Sequence, residues 1–150
     1  MSIVELAPPI KVWYKPLPKF PKTPWPIIDI RLSYKNKTLP QSVLSLVDSG
    51  ANFSILHIEI AEALGVNLKK LGEPKPGGTS VSGFYKFWVL PEPLDVNIYG
   101  FSSNFKFTVI DNPNLIWPCI LGENSIFEVA RLDFQKFKGY FEIRFRQDIN

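Results

Sequence analysis

Three stretches of this chain alternate apolar and polar residues at every second position, a period that suits strands with one face toward a core and no helix. Ile28, Ile30, Leu32 and Tyr34 are interleaved with Asp29, Arg31 and Ser33, and Phe105, Phe107 and Val109 follow the same rule. Phe141, Ile143 and Phe145 are set against Glu142, Arg144 and Arg146. Lys35-Asn36-Lys37 marks a turn after the first stretch, leading to a second strand that ends at Asp48. Ile58 to Leu64, stopped by Gly65, and a short turn from about Asn124 to Val129 are the clearest helical candidates. Many short strands with one or two small helices describe a closed barrel or a sandwich.

The strand ending at Asp48 runs into Leu46-Val47-Asp48-Ser49-Gly50-Ala51-Asn52-Phe53-Ser54-Ile55-Leu56. A carboxylate is followed at once by a hydroxyl, a glycine and a small residue before the chain turns apolar again. Stripping water from a carboxylate costs several kcal/mol unless hydrogen bonds or a partner compensate, so an acid at a tight bend after an apolar strand points to chemistry. Gly50 leaves its amide free to donate to that carboxylate and lets main chains approach closely.

The string resembles the active-site motif of the retropepsin-like aspartic proteases: apolar residues, Asp, Thr or Ser, Gly, Ala, two variable residues, Ser or Thr, then apolar residues. Cys119-Ile120-Leu121-Gly122-Glu123-Asn124 is similar to the family's second signature, an apolar pair and a glycine opening a short helix. The resemblance covers about Ile27 to Phe145 and implies a closed six-stranded barrel with one or two short helices. It further implies an aspartic endopeptidase without a cofactor, in which Asp48, Ser49 and Gly50 form the catalytic loop and Ile120, Leu121 and Gly122 the strand beside it. Ala51 and Asn52 would face the substrate. Val81, Ser82 and Gly83 would do so from the tip of a mobile hairpin, the flap, between Gly77-Gly78-Thr79-Ser80 and Phe84 to Leu90.

The mechanism implied needs two carboxylates, and none of Asp29, Asp95, Asp111, Asp133 or Asp148 is followed by Ser-Gly or Thr-Gly. The second acid is therefore expected from a second copy in a homodimer, Asp48 facing its twin on the two-fold axis. Two such charges about 3 Å apart at an effective dielectric of about 20 repel by roughly 5 kcal/mol, so one proton is shared between them. By resemblance, Ser49 would bond across the dimer to the partner's main chain. Retroviral members place an Asp and an Arg where this chain has Asn52 and Glu123, so the brace that this pair provides is weakened or rebuilt, for instance by an Asn52 to Glu123 hydrogen bond. The same departure admits a second reading, a retropepsin-like dimer that cleaves little or nothing and serves as a protein-binding or assembly module.

With 150 residues the chain is expected to form one catalytic domain, residues 27–150, preceded by an arm, residues 1–26. Seven of the 14 prolines fall in that arm, which excludes helix there and argues against most strand pairing. The arm also holds Lys11, Lys15, Lys19 and Lys22 against Glu5 alone, leaving the remainder balanced in charge, so no nucleic-acid partner is expected. No long apolar run and no secretion-signal pattern are present, so a soluble cytoplasmic protein with no membrane partner is expected. One cysteine, Cys119, forbids an internal disulfide, and with one histidine, His57, no zinc site of the usual kind can form. His57 lacks a Gly-x-Ser-x-Gly elbow to serve, and residues 72–79 graze a phosphate-loop pattern without its lysine.

Overall fold

The computed structural model describes residues 3–79 and 83–149. Its strands are β1 (Ile10–Trp13), β2 (Lys15–Leu17), β3 (Phe20–Trp25), β4 (Ile27–Tyr34), β5 (Lys37–Thr38), β6 (Val43–Val47) and β7 (Ser54–His57), followed by α1 (Ile58–Ala63). Then come β8 (Lys75–Thr79), β9 (Gly83–Val89), β10 (Leu94–Ile98), β11 (Phe101–Phe105), β12 (Phe107–Asp111), β13 (Cys119–Leu121), α2 (Ile126–Val129), β14 (Ala130–Gln135) and β15 (Tyr140–Phe145). The chain is thus mainly β with two short α-helices among the described residues, and none of its helices is long and apolar enough to cross a membrane.

The alternation at Ile28 to Tyr34 becomes β4, with Ile28, Ile30 and Leu32 fully buried. Lys35 and Asn36 both take positive φ, 45° and 64°, the geometry of a tight turn whose twist matches the flanking strands. The run from Phe105 to Val109 belongs to two strands rather than one: the chain breaks at Lys106 between β11 and β12, while the in-out alternation carries through. α1 ends as expected, Gly65 at φ +82° donating its N–H to the Glu62 carbonyl.

The large sheet runs β11-β10-β4-β6-β13-β7-β12-β9-β8, with β5 beside β4. Its centre positions the loop at Asp48. β13 lies between β6 and β7, parallel to β6 with Leu46 beside Ile120 and Val47 beside Leu121, and antiparallel to β7 with Leu56 beside Cys119. The connection from β6 to β7 therefore crosses the end of β13. Val43, Ser45 and Val47 of β6 point into the main core, whereas Leu44 and Leu46 line a second apolar cluster with Leu17, Trp25, Ile27, Trp117 and Ile120.

The proline-rich arm corrects the expectation that it would pair little. β1 pairs antiparallel with β15, Ile10 opposite Ile143 and Trp13 opposite Tyr140, in the proline-free window between Pro9 and Pro16. β2 and β3 form a two-stranded ribbon, Lys15 opposite Trp25, although they contain Pro16, Pro21 and Pro24. Each strand of such a ribbon keeps one free edge, where a missing N–H costs no ladder bond. Leu17 and Trp25 then seat the ribbon on the second apolar cluster, Trp25 meeting Trp117 edge to face at 5.4 Å.

Candidate active site

Asp48 sits at the carboxyl end of β6, half-buried, and the residues after it make a tight turn that folds back on its carboxylate. The Gly50 N–H donates to Asp48 Oδ1 at 2.9 Å, and the Ala51 N–H donates to the Asp48 carbonyl at 3.2 Å. Two backbone bonds tie this turn to the strand beside it: Asp48 N–H to the Leu121 carbonyl, 3.0 Å, and Glu123 N–H to the Ala51 carbonyl, 2.8 Å. Ser49, Gly50 and Asn52 are exposed and Ala51 is half-buried. The two sequence signatures, some seventy residues apart, thus meet at one place, Asp48 to Asn52 on one side and Ile120 to Gly122 on the other.

The approach of the two segments depends on Gly122. A Cβ there would lie 2.2 Å from the Ala51 carbonyl oxygen and 3.1 Å from the Ala51 Cβ, so no side chain fits without parting the turn from β13. Asn52 and Glu123 do not form the side-chain hydrogen bond considered from the sequence; the main chain of Glu123 makes the link instead.

Ser54, Asn124 and Ser125 belong to the site's support and were missed as a group from the sequence. Ser54 is fully buried and Ser125 nearly so. Asn124 Oδ1 accepts from both Ser54 N–H, 2.9 Å, and Ser54 Oγ, 2.8 Å, while Gly122 N–H donates to Ser54 Oγ at 3.1 Å. Ser54 Oγ and Ser125 Oγ are 2.6 Å apart, and Ser125 Oγ also lies 3.2 Å from the Gly122 carbonyl that accepts from it. A buried hydroxyl with its proton and lone pairs engaged fixes the start of β7, the far end of the loop at Asp48, against Gly122 and the start of α2. The available signal was the motif's last hydroxyl position, where a serine opens an otherwise apolar strand. Ser54→Ala leaves the Gly122 N–H without its buried partner and the Asn124 oxygen with the residue-54 backbone N–H alone, and a loss of about 2 to 3 kcal/mol is expected in a denaturant titration, with Ser54→Thr recovering most of it.

Cys119 lies on the core side of β13, wholly buried, and burial pushes its thiol up to about 12 from an ordinary 9.0. Alkylating reagents are expected to leave it untouched until the protein unfolds. The unfolded thiol ionises from about pH 9 and the folded one near 12, so the unfolded state holds fewer protons in that window. This contribution to stability is therefore complete below pH 9 and is lost as pH rises toward 12, on the order of 1 kcal/mol per unit. Tyr14 and Tyr99, both raised by desolvation, add to the decline with the same sign. Cys119→Ala should remove the thiol's share of the slope in alkaline unfolding curves.

His57 is the N-cap of α1, its Nδ1 accepting from the Glu59 N–H at 3.1 Å, a capping role rather than a place on the helix face. The hairpin of β8 and β9 pairs Gly78 with Phe84 and Thr79 with Gly83, and a Cβ on Gly78, φ +134°, would lie 2.2 Å from the Gly83 carbonyl oxygen. Val81 and Ser82, expected near its tip, lie outside the described residues, whereas Gly83 begins β9. Among the described residues no group of three or more His, Cys, Asp or Glu side chains could hold a metal ion.

No protein-family model matches this chain, and no curated protein matches it in sequence. Its fold is similar to solved structures. One is a retropepsin-like aspartic protease from Rickettsia conorii, at a TM-score of 0.58 and 18% identity over 97% of this chain and 98% of that one. Another is the retroviral protease-like domain of Ddi1 from Leishmania major, at a TM-score of 0.50 and 20% identity over 70% of this chain and 79% of that one. The similarity reaches the proline-rich segment in the first case, and what is shared at such identities is the fold, that of the retropepsin-like aspartic proteases.

Proposed function

We propose that this chain is an aspartic endopeptidase that works as a homodimer. The observation that carries the reading is the loop at Asp48: a half-buried carboxylate on a tight turn, buttressed by the second signature, in a fold shared with retropepsin-like aspartic proteases. In this reading residues 27–150 are the catalytic domain, their sheet curled into the closed six-stranded barrel of the family, and residues 1–26 an accessory arm. A two-fold axis beside the turn brings Asp48 to its twin, with Ser49 and Gly50 at the contact and Ala51 and Asn52 toward the substrate. The hairpin of β8 and β9 closes as the flap through Val81, Ser82 and Gly83.

One carboxylate takes a proton from a bound water as the water oxygen attacks the scissile carbonyl carbon, while the protonated partner hydrogen-bonds to the carbonyl oxygen and then protonates it. Collapse of the tetrahedral diol expels the amine, which leaves with a proton from the pair, so the acids finish as they began. No cofactor takes part. The Gly50 amide holds the carboxylate in orientation without neutralising it.

Cleavage of an unfolded polypeptide, followed over a dilution series with the sedimentation of the protein measured alongside, tests this reading. The specific rate should fall on dilution in step with loss of dimer. A specific rate independent of concentration, in a protein that stays monomeric throughout, rules it out, and no cleavage by a stable dimer favours the binding-module reading.

A further inference from the structure

The hairpin from β14 to β15 turns through Lys136-Phe137-Lys138-Gly139, a single 3-10 turn with Gly139 left-handed at φ +83°. Phe137 is 87% exposed at its tip, and Trp13, 60% exposed, lies across the same turn: a Cβ on Gly139 would come within 3.8 Å of its ring. Trp13 meets Tyr140 edge-on at 5.5 Å, and the Lys11 ammonium lies 4.3 Å from the centre of the Tyr140 ring. The Lys138 ammonium stands 5.6 Å from the Phe137 ring. One end of the three-stranded sheet therefore offers two large exposed aromatics among three lysines.

Phe137 is almost bare and more than half of Trp13 faces water, and leaving large apolar side chains in water forgoes the burial that ordinarily places them inside. Their setting matches an interfacial environment. Aromatic rings settle at the boundary between headgroups and acyl chains, and flanking lysines lay their stems along them while the ammonium groups reach lipid phosphates. The acids of this face sit one row further in, Asp133 opposite Glu142, two residues along the strands from Gln135 and Tyr140; Lys11 starts from that row too, opposite Glu142, but its stem carries the ammonium forward to the Tyr140 ring. A nucleic-acid backbone tracking across the sheet would have to pass over them. A bilayer touched by the tip alone leaves them in water, roughly 7 Å away.

We propose that this tip docks the protein on an anionic lipid surface, with Phe137 and Trp13 entering the interface and Lys11, Lys136 and Lys138 engaging the headgroups. The absence of an apolar span, which led to no membrane partner being expected, does not bear on such a contact, since a surface contact needs none.

The test is cosedimentation of the full chain with vesicles of phosphatidylcholine alone and of phosphatidylcholine with phosphatidylserine in equal parts. Binding is expected to the anionic vesicles only, and to weaken as salt is raised. Phe137→Ala should weaken it about tenfold or more, and the double variant Lys136→Gln, Lys138→Gln about 25-fold, near fivefold for each lysine. Both changes lie at exposed positions, and unaltered unfolding curves will establish that the variants are folded. Vesicle binding that is absent, or indifferent to Phe137, overturns the proposal. Dissociation of a dimer by Phe137→Ala would assign the tip to a contact between copies, and tighter binding of a single-stranded oligonucleotide by the same residues would assign it to nucleic acid; either result also overturns it.

Discussion

Asp48→Asn is expected to leave a folded protein whose cleavage of unfolded polypeptide has fallen by about a thousandfold or more, the scale set by loss of a positioned acid and base. The turn itself should survive. The asparagine oxygen can still accept from the Gly50 N–H, and the bonds from residue 48 to Leu121 and from Ala51 back to residue 48 are main-chain bonds that no side chain supports. A change in unfolding free energy within about 1 kcal/mol is therefore expected. The dimeric arrangement adds a sharper result. If each site takes one acid from each copy, an equal mixture of wild-type and variant chains that exchange freely leaves about a quarter of the dimers with two acids, and activity per wild-type chain should halve. A site complete within one chain predicts no change per wild-type chain, so the mixing experiment separates the two arrangements even if the variant alone is silent in both.

Gly122→Ala should be the most damaging small change outside Asp48, for a steric reason. The added methyl falls 2.2 Å from the Ala51 carbonyl oxygen, the atom that accepts the Glu123 N–H, so relief requires the turn to move off the end of β13. Overpacking together with that lost bond is expected to cost about 3 kcal/mol or more, which for a chain of this size lowers the melting temperature by roughly 6 to 12 °C. Cleavage should be lost in the fraction that remains folded, because the turn carrying Asp48 is displaced. Gly50→Ala offers the contrast. Its nearest neighbour would be Asp48 Oδ1 at 3.2 Å, the end of a side chain that can shift by a few tenths of an ångström. That variant should melt close to wild type while its activity falls, and equal losses of stability in the two variants would contradict the account.

Much of the loop at Asp48 was legible because its geometry is local. The run from Leu46 to Leu56 states a strand, a bend at Asp48 and a second strand within one window, and each appears where that pattern puts it. The helix stop at Gly65 and the turn at Lys35 and Asn36 were readable for the same reason, since positive φ is a property of single residues. The misses are non-local. Prolines remove donors, but whether a donor is needed depends on which edge a strand presents, and only the partner strand decides that for β2 and β3. A buried hydroxyl at Ser54 looks from the sequence like any strand serine, because the atoms that satisfy it come from residues 122, 124 and 125. Lys106 likewise breaks no alternation, so the division between β11 and β12 left no trace in the periodicity.

The insertion of β13 between β6 and β7 also makes the loop at Asp48 depend on a distant part of the chain. Strands joined by a six-residue link would ordinarily zip together as a hairpin early in synthesis, but here they are held apart by a segment made some seventy residues later. Without Cys119–Leu121 in place Asp48 stands at an unfinished edge, lacking the strand whose Leu121 carbonyl accepts its N–H. The pairings that complete it join residues some seventy positions apart, and loop closure over such a distance has to be met before they form.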